Sequence, residues 1–342
     1  MAARMTTRVV KADAAGIALA AQVLVDGGIA AIPTETVYGL AARVSGPGVN
    51  QIFAAKGRPQ DNPLIAHVAS PDMVRQVAAE LPPQALRLME AFWPGPLSLI
   101  LRRRESVPDA VTAGQETVAV RMPDHAAALA IIRAVGEPLA APSANTSGRP
   151  SPTRAEHVLA DLGGRIPLIV DSGFCPVGVE STVLDLSGDL PVRLRPGDIT
   201  PERLCEVLPQ VQLHEGLLAG DDRPASPGMK YRHYAPTARV IVRSGDPGEV
   251  ARELRERYDY DRKVRRKPRI LCTAEHASLY AGLDCCPLGR GAAGAERRLF
   301  DELRRAEMDG RDIIYFHYDK QMGLAVKNRI CKAAGGQSDI EV

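Results

Sequence analysis

Apolar residues recur along the chain with two different periods. Residues 13–26 carry them at helical spacing and are followed by Gly27–Gly28, which predicts a helix and its end. Ile29–Ile32 is a short continuous apolar run, which predicts a buried strand. The same patterns predict strands at Leu64–Val68, Leu97–Leu101, Val118–Val120, Leu139–Ala141, Leu168–Val170, Thr182–Leu186 and Val192–Leu194, and helices at 48–55, Asp72–Glu80, Gln84–Phe92, Ala126–Val135 and from Thr200. Because helices separate only some of these strands, we predict an α/β domain with a mixed, curved sheet.

The pattern changes at residues 214–236, which are rich in Gly and Pro and have no period, as is typical of a linker or an ordered loop. Beyond it we predict strands at Val240–Val242, Ile270–Thr273 and Ile313–Phe316, and helices at Glu249–Tyr258, Ala295–Met308 and Met322–Ala334. The basic stretch Arg262–Arg269 is interpreted as a solvated loop, with contact to RNA as the alternative. We therefore predict a first domain over 1–212, a linker over 213–237, and a small Rossmann-like αβα domain over 238–342.

Composition supports this division. The chain has 342 residues, of which 45% are hydrophobic and 25% charged, as in a globular protein with two domains. A net charge of +2 provides no overall basic field for nucleic acid. We expect a cytoplasmic protein, because the sequence has no secretory signal, no apolar run of membrane-spanning length and no C-x-x-C pair among its six cysteines. For Cys285 and Cys286, a redox role and inert thiols both stay open.

Polar strings follow several of the predicted strands, and strand ends are where α/β sheets place ligand sites. In PTETVYGL at 33–40, hydroxyls and the Glu35 carboxylate stand at a strand exit. Taken alone, the string is explained as well by a helix N-terminus with Glu35 in its first turn. In KGRPQDNPLIAHV, Lys56 and Arg58 suit a triphosphate, although two surface cations at a helix C-terminus would look the same. His67, in the following strand, is typical of a buried core histidine when considered alone.

Four further strings contain hydrogen-bond donors. Arg121 lies within the apolar strand of TVAVRMP, where a charge needs a partner, either a structural carboxylate or a substrate's. APSANTSGRPSPT at 141–153 supplies hydroxyl, amide and backbone donors, although such a loop is often a plain connector. GVESTV and LRPGDIT bring Ser181 and Arg195 to strand ends. This excess of cations and hydroxyls over acids predicts an anionic, phosphate-bearing ligand. No P-loop, Ser-His-Asp arrangement or metal-ligand cluster can be assigned.

In this order the strings resemble the motifs of the YrdC-like threonylcarbamoyl-AMP synthases. KGRPQDNPL, PSANTSGRPSPT, GVEST and LRPG are highly specific, and the likeness covers residues 12–210 almost continuously. PGMKYRHYAP at 227–236 and the final GLAVKNRICKAAGG resemble the long, two-domain form of the family. The resemblance implies a twisted α/β sheet around a positively charged cavity. It also implies a nucleotidyltransferase that joins L-threonine, bicarbonate and ATP into an adenylate with release of pyrophosphate.

The resemblance assigns roles residue by residue. ATP would be contacted by Lys56, Arg58, Asn62, Thr117, Ser143, Asn145, Ser151 and Arg195, and by Tyr231 from a linker that folds over the cavity as a lid. Threonine would be held by Thr36, His67, Arg121, the backbone at Ala141, and Ser181. Lys56, Arg58 and Arg195 would stabilise charge in the transition state, with the threonine carboxylate as the partner of Arg121. Mg²⁺ is expected on the triphosphate, without a protein ligand that the sequence identifies.

Two other classes of protein are alternatives. A carbamoyltransferase of hydrogenase maturation shares this domain type and uses ATP, but it would carry zinc-binding cysteine pairs and an acylphosphatase-like region. An RNA-binding module would explain the cations but not the hydroxyl-rich pocket. The implied product would pass to a transferase that modifies adenosine beside the anticodon of tRNA, and direct tRNA binding stays open.

Overall fold

The protein is described by a computed structural model over residues 5–213, 234–335, 338 and 340. It divides into two compact units. The first takes in the described residues up to 213, except Gly148–Ser151 and Val177–Val179, which group with the second. Residues 214–233 of the predicted linker, which include Tyr231, lie outside the described residues. Among the residues described, no helix is both long and apolar enough to cross a bilayer.

The first unit is built on a mixed sheet of eleven strands in the order β1-β8-β2-β3-β7-β4-β6-β5-β9-β10-β11. The strands are β1 (Arg8–Lys11), β2 (Ala30–Ile32), β3 (Gly39–Arg43), β4 (Ile65–His67), β5 (Leu97–Arg102), β6 (Thr117–Arg121), β7 (Leu139–Ala140), β8 (Leu168–Asp171), β9 (Thr182–Asp185), β10 (Val192–Arg195) and β11 (Gln212–Leu213). The helices are α1 (Ala14–Val25), α2 (Gly48–Lys56), α3 (Pro83–Phe92), α4 (Asp109–Thr112), α5 (Ala126–Val135), α6 (Ala155–Leu162) and α7 (Pro201–Val207). The predicted α/β class and mixed sheet are confirmed.

The two faces of this sheet are covered differently. One face packs against α2, α3, α6 and α7 in a single large core. On the other face, α1 and α5 cover β2, β3, β7 and β8. The remainder of that second face carries a small apolar cluster made of strand residues alone, namely Ile65, Ile100, Ala119, Val183 and Leu194. The candidate site lies around this cluster.

Some sequence predictions were wrong in detail. Residues Asp72–Glu80 form only a 3₁₀ turn over Asp72–Gln76. The helix stops there because the end of β5 takes the following backbone groups: the Ala79 N–H donates to the Arg102 carbonyl at 2.9 Å, and the Arg104 N–H to the Val77 carbonyl at 2.8 Å. The strands β1, β3 and β11 and the helices α4 and α6 of this unit were not predicted.

The second unit contains a parallel sheet of four strands in the order β12-β15-β13-β14. Its elements are β12 (Arg239–Arg243), α8 (Pro247–Lys263), β13 (Pro268–Cys272), β14 (Cys285–Pro287), α9 (Gly291–Met308), β15 (Ile313–His317) and α10 (Gly323–Ala334). The prediction of a solvated loop over Arg262–Arg269 is wrong at both ends, because α8 extends to Lys263 and β13 begins at Pro268. Arg269 is buried and pairs with Asp284 at 3.2 Å and Asp309 at 2.8 Å, so it belongs to the fold.

Candidate active site

Neighbouring strands β4 and β6 place side chains on the part of the second sheet face that α1 and α5 leave uncovered, called here the half-open face. The register pairs Ile65 with Ala119 and His67 with Arg121, and paired residues point to the same face. Because side chains alternate along a strand, Thr117 shares this face with Ala119 and Arg121. The strand pattern therefore brings together Thr117, His67 and Arg121 above the apolar cluster.

The segment between β2 and β3 closes one edge of this face through a tight hydroxyl-centred turn. The Oγ1 atom of Thr34 accepts from the N–H groups of Thr36 and Val37, both at 3.2 Å, and donates to the Val37 carbonyl at 2.7 Å. Thr34, Glu35 and Thr36 are all buried. The alternative of a helix N-terminus is wrong, since no helix starts here.

Arg121 is held by three groups of the protein. Its Nη2 lies 2.5 Å from Oε1 of Glu35, its Nη1 donates to Thr36 Oγ1 at 2.9 Å, and its Nε donates to the Gly95 carbonyl at 3.1 Å. Glu35 is thus the structural carboxylate that the sequence left open as a partner of Arg121, and a contact with the threonine carboxylate stays a prediction. A buried guanidinium without a carboxylate would be costly, and the ion pair removes that cost before any ligand enters.

His67 is a neutral member of the site. Burial, and next to it the charge of Arg121, lower the pKa of His67 to about 3. Its Nδ1 lies 3.2 Å from the Ile65 carbonyl. A neutral imidazole offers one donor and one acceptor, so His67 can hydrogen-bond a ligand without adding charge.

The GVEST and LRPG strings meet through Ser181 and Arg195. The Arg195 Nε donates to the Ser181 carbonyl, and its Nη2 donates to Ser181 Oγ, both at 3.0 Å. Ser181 Oγ also lies 2.8 Å from Ser98 Oγ on β5. Gly197 permits this meeting, because a Cβ there would stand 2.3 Å from the backbone nitrogen of Thr182.

Lys56 is held inside the molecule by the 141–147 loop. It is the last residue of α2, and Gly57 follows in the left-handed conformation with φ of 62°. Its Nζ donates to the carbonyls of Asn145, at 2.6 Å, and Ser143. The alternative of surface cations is therefore wrong for Lys56, which is 1% exposed. The loop is also braced internally, since Ser143 Oγ donates to Asn145 Oδ1 at 2.5 Å.

The other residues predicted to bind the substrates lie in the segments that follow α2 and β7. Arg58 is half-buried, and its Nη2 donates to the Pro63 carbonyl at 3.0 Å. Asn62 is buried, and its Oδ1 has no hydrogen-bond partner. The Ala141 N–H is taken by the Ile65 carbonyl at 3.0 Å, so its carbonyl is the backbone group left for a ligand. Ser151 is buried in the Gly148–Ser151 segment of the second unit.

Two members of the site were not predicted. Ser98 lies in an apolar run, where a single hydroxyl gives no functional signal until the register brings it to Ser181. Glu35 was noted only as a carboxylate at a strand exit. Its link to Arg121, 86 positions later, could have been suspected because a charge in a strand needs a partner.

Comparison with known sequences identifies the class. The model of the Sua5/YciO/YrdC family, described as Telomere recombination, matches residues 22–197. A second model, described as Threonylcarbamoyl-AMP synthase, C-terminal domain, matches residues 199–335. Fold, site and both matches define a protein of the Sua5/YciO/YrdC class with the additional C-terminal domain.

Individual relatives narrow this class. The threonylcarbamoyl-AMP synthase of Bacillus subtilis is 46% identical over 94% of this chain and 93% of its own length. That of Pyrococcus abyssi is 43% identical over 93% of this chain and 94% of its own. The crystal structure of P. abyssi Sua5 complexed with L-threonine is similar with a TM-score of 0.90 and 40% identity, covering 98% of each chain. The chain therefore belongs to the threonylcarbamoyl-AMP synthase family of enzymes.

Proposed function

We propose that this enzyme converts L-threonine, bicarbonate and ATP into threonylcarbamoyl-adenylate and pyrophosphate. The observation that carries the proposal is the placement of hydrogen-bonding side chains on one apolar sheet surface, in a unit that also holds two buried cations. Thr36 and His67 lie beside Arg121, which is ion-paired with Glu35, and Ser181 is hydrogen-bonded to Ser98 and Arg195 on neighbouring strands. The charge of Lys56 is held by the carbonyls of the Ser143–Asn145 loop, and that of Arg195 stands at the end of β10 against Ser181.

Threonine is the substrate best supported for this pocket, since a similar structure contains it. We assign the amino acid to Thr36, His67, Arg121, Ser181 and the carbonyl of Ala141. Arg121 already contacts Glu35, Thr36 and the Gly95 carbonyl, so a substrate carboxylate would share the guanidinium with them. Neutral His67 would accept from or donate to the substrate without changing the charge of the pocket.

ATP is assigned to the cationic border. Lys56, Arg58, Asn62, Thr117, Ser143, Asn145, Ser151 and Arg195 would contact it, and Tyr231 enters the proposal from the family resemblance alone. In the reaction, the threonine amine and bicarbonate form an N-carboxylate with loss of water. An oxygen of this N-carboxylate attacks the α-phosphorus while the bond to pyrophosphate breaks. The nucleophile comes from the substrates, so the protein acts by positioning them and by stabilising charge with Lys56, Arg58 and Arg195.

Mg²⁺ belongs to the proposal as a companion of the triphosphate. The described part of the chain contains no group of three or more His, Cys, Asp or Glu side chains that could hold a metal ion. We therefore propose that phosphate oxygens and water carry the ion, which would neutralise charge on the leaving pyrophosphate. The product would pass to a transferase that modifies adenosine beside the tRNA anticodon, a cytoplasmic process.

The test is pyrophosphate release by purified protein supplied with ATP, Mg²⁺, bicarbonate and L-threonine, omitting one component at a time. We expect release only when all are present, and a loss of about 10²-fold or more in Arg58→Ala. Arg87→Ala is the matched control, because Arg87 is exposed on α3. Release that does not depend on threonine, or equal rates in the two variants, would contradict the proposal.

A further inference from the structure

The second unit contains two thiols that face each other across neighbouring strands. Cys272 ends β13 and Cys285 begins β14, and these strands are parallel neighbours. The two Sγ atoms lie 3.4 Å apart. We propose that Cys272 and Cys285 form an oxidation site, at which a peroxide-class oxidant produces an intrachain disulfide. A disulfide bond is about 2.0 Å long, so the sulfurs must approach by roughly 1.4 Å.

The surroundings of the pair allow that approach. β14 has only three residues and lies at the edge of the four-stranded sheet, where it is hydrogen-bonded on one side. Cys285 is partly exposed, whereas Cys272 is fully buried against the core of α8. An oxidant therefore reaches Cys285 first, and Cys272 is placed as the second thiol of the pair.

The pKa shifts of the two thiols also indicate that Cys285 reacts before Cys272. The hydrogen bond with Cys272 lowers the pKa of Cys285, while this hydrogen bond and burial raise the pKa of Cys272. The thiolate is the nucleophilic form of cysteine, so Cys285 is the more reactive. Accessible thiols next to a second cysteine are typical of reversible oxidation sites.

The reaction balances with hydrogen peroxide as the oxidant. The Cys285 thiolate attacks one peroxide oxygen, the O–O bond breaks, and hydroxide leaves, giving a sulfenic acid. The Cys272 sulfur then attacks the Cys285 sulfur, the S–S bond forms, and the S–O bond breaks with loss of hydroxide. The protons of the two thiols convert both hydroxides into water. Two electrons pass from the thiols to the peroxide.

Cys286 provides a matched control beside the pair. Alternation along β14 turns its side chain to the opposite face, where its Sγ lies 3.7 Å from Nη2 of Arg298. Burial and the neighbouring Glu302 carboxylate raise the pKa of Cys286 to about 12. Cys286 is therefore a neutral thiol at pH 7, although it is adjacent to Cys285 in sequence.

The test uses the full chain, reduced, freed of reductant and treated with hydrogen peroxide. The remaining thiols are then alkylated under denaturing conditions. Trypsin leaves Cys272, Cys285 and Cys286 on one peptide, 270–290, so chymotrypsin is added to cut after Tyr280. We expect two of the six cysteines to escape alkylation and a disulfide to join the fragments of Cys272 and Cys285. Cys286→Ser should keep this disulfide, and Cys285→Ser should lose it.

A further variant separates the two steps. In Cys272→Ala the second thiol is absent, so Cys285 should accumulate as a sulfenic acid that dimedone traps. Far-UV circular dichroism establishes that each variant is folded. Alkylation of all cysteines after peroxide, a bond between Cys285 and Cys286, or an unchanged disulfide in Cys285→Ser would overturn the proposal.

Discussion

The Oε1 atom of Glu35 lies 2.5 Å from Nη2 of Arg121, and neither side chain is more than 5% exposed. This ion pair joins the segment between β2 and β3 to the end of β6. Arg121 is thereby fixed in position by the protein rather than by a substrate. The pair therefore contributes to the fold and to the geometry of the site at the same time.

We expect Glu35→Gln to destabilise the protein strongly, because it leaves the guanidinium of Arg121 buried without a carboxylate. Breaking a buried pair from one side costs about 3–5 kcal/mol. Urea denaturation followed by circular dichroism measures this loss. Asp109→Asn is the control, since Asp109 pairs with Arg103 at 2.7 Å but is 74% exposed. The control should change stability by less than about 1 kcal/mol, and equal losses in the two variants would refute the prediction.

Gly197→Ala should reduce both stability and activity. A Cβ at this position would stand 2.3 Å from the backbone nitrogen of Thr182, so the turn must move away from β9. We expect a loss of about 1–3 kcal/mol and weaker catalysis, because Arg195 would leave Ser181. Gly188→Ala is the matched change, since nothing lies within 4 Å of a Cβ there. Thermal unfolding and pyrophosphate release check both variants, and indistinguishable behaviour would count against this reading of the turn.

Ser98→Ala should weaken threonine binding and leave ATP binding nearly unchanged. The Ser98 hydroxyl lies 2.8 Å from that of Ser181, and it is 0% exposed. Losing one hydrogen bond of about 1 kcal/mol corresponds to roughly a fivefold rise in the KM for threonine. Ser187→Ala, which removes a hydrogen bond to Asp185 beyond β9, serves as the control. If the KM for ATP rose as much as that for threonine, Ser98 would not belong to the threonine pocket.

The pH dependence of stability should report the neutral state of His67. The pKa of His67 is about 3 in the folded protein, and a histidine in an unfolded chain has a pKa of about 6.5. Between these values the unfolded chain binds the extra proton, so the free energy of unfolding falls as pH decreases from about 6.5 towards 3. His67→Gln should reduce this slope by up to about 1.4 kcal/mol per pH unit.

The comparison is made by urea denaturation at pH 4, 5 and 6. Burial also lowers the pKa of His317, to about 4, so part of the slope should remain in the variant. Identical slopes for the variant and the original chain would mean that His67 is not held neutral by the fold.

Long apolar runs were sufficient to predict most of the fold. β5 and β6 were predicted because each is a run of branched apolar residues, and α5 because Ala126–Val135 combines helical spacing with a final glycine. β3 was missed because its sequence, GLAAR, has no β-branched residue and gives no strand signal. β1 was missed because its pattern is mostly exposed, at the edge of the sheet.

Several residues of the candidate site were predicted from specific sequence strings rather than from apolar runs. Thr36, His67, Arg121 and Ser181 were singled out from specific strings, and the structure brings them to one sheet face. The partners of those residues depend on register, which no local pattern contains. Ser98 meets Ser181 only because β5 and β9 pair with Ser98 opposite Val183. The roles given to these residues toward ATP and threonine stay predictions.

The half-open face is formed by β4, β6, β5, β9 and β10, whose residues span positions 65 to 195. A chain emerging from the ribosome therefore cannot complete the surface until β9 and β10 have been synthesised and β9 has paired with β5. Pairing of such distant segments is slow, since the loop between them must first be ordered.

Because a ligand of the finished surface binds the native state and not the unfolded chain, threonine or ATP should raise the melting temperature in proportion to the logarithm of its concentration.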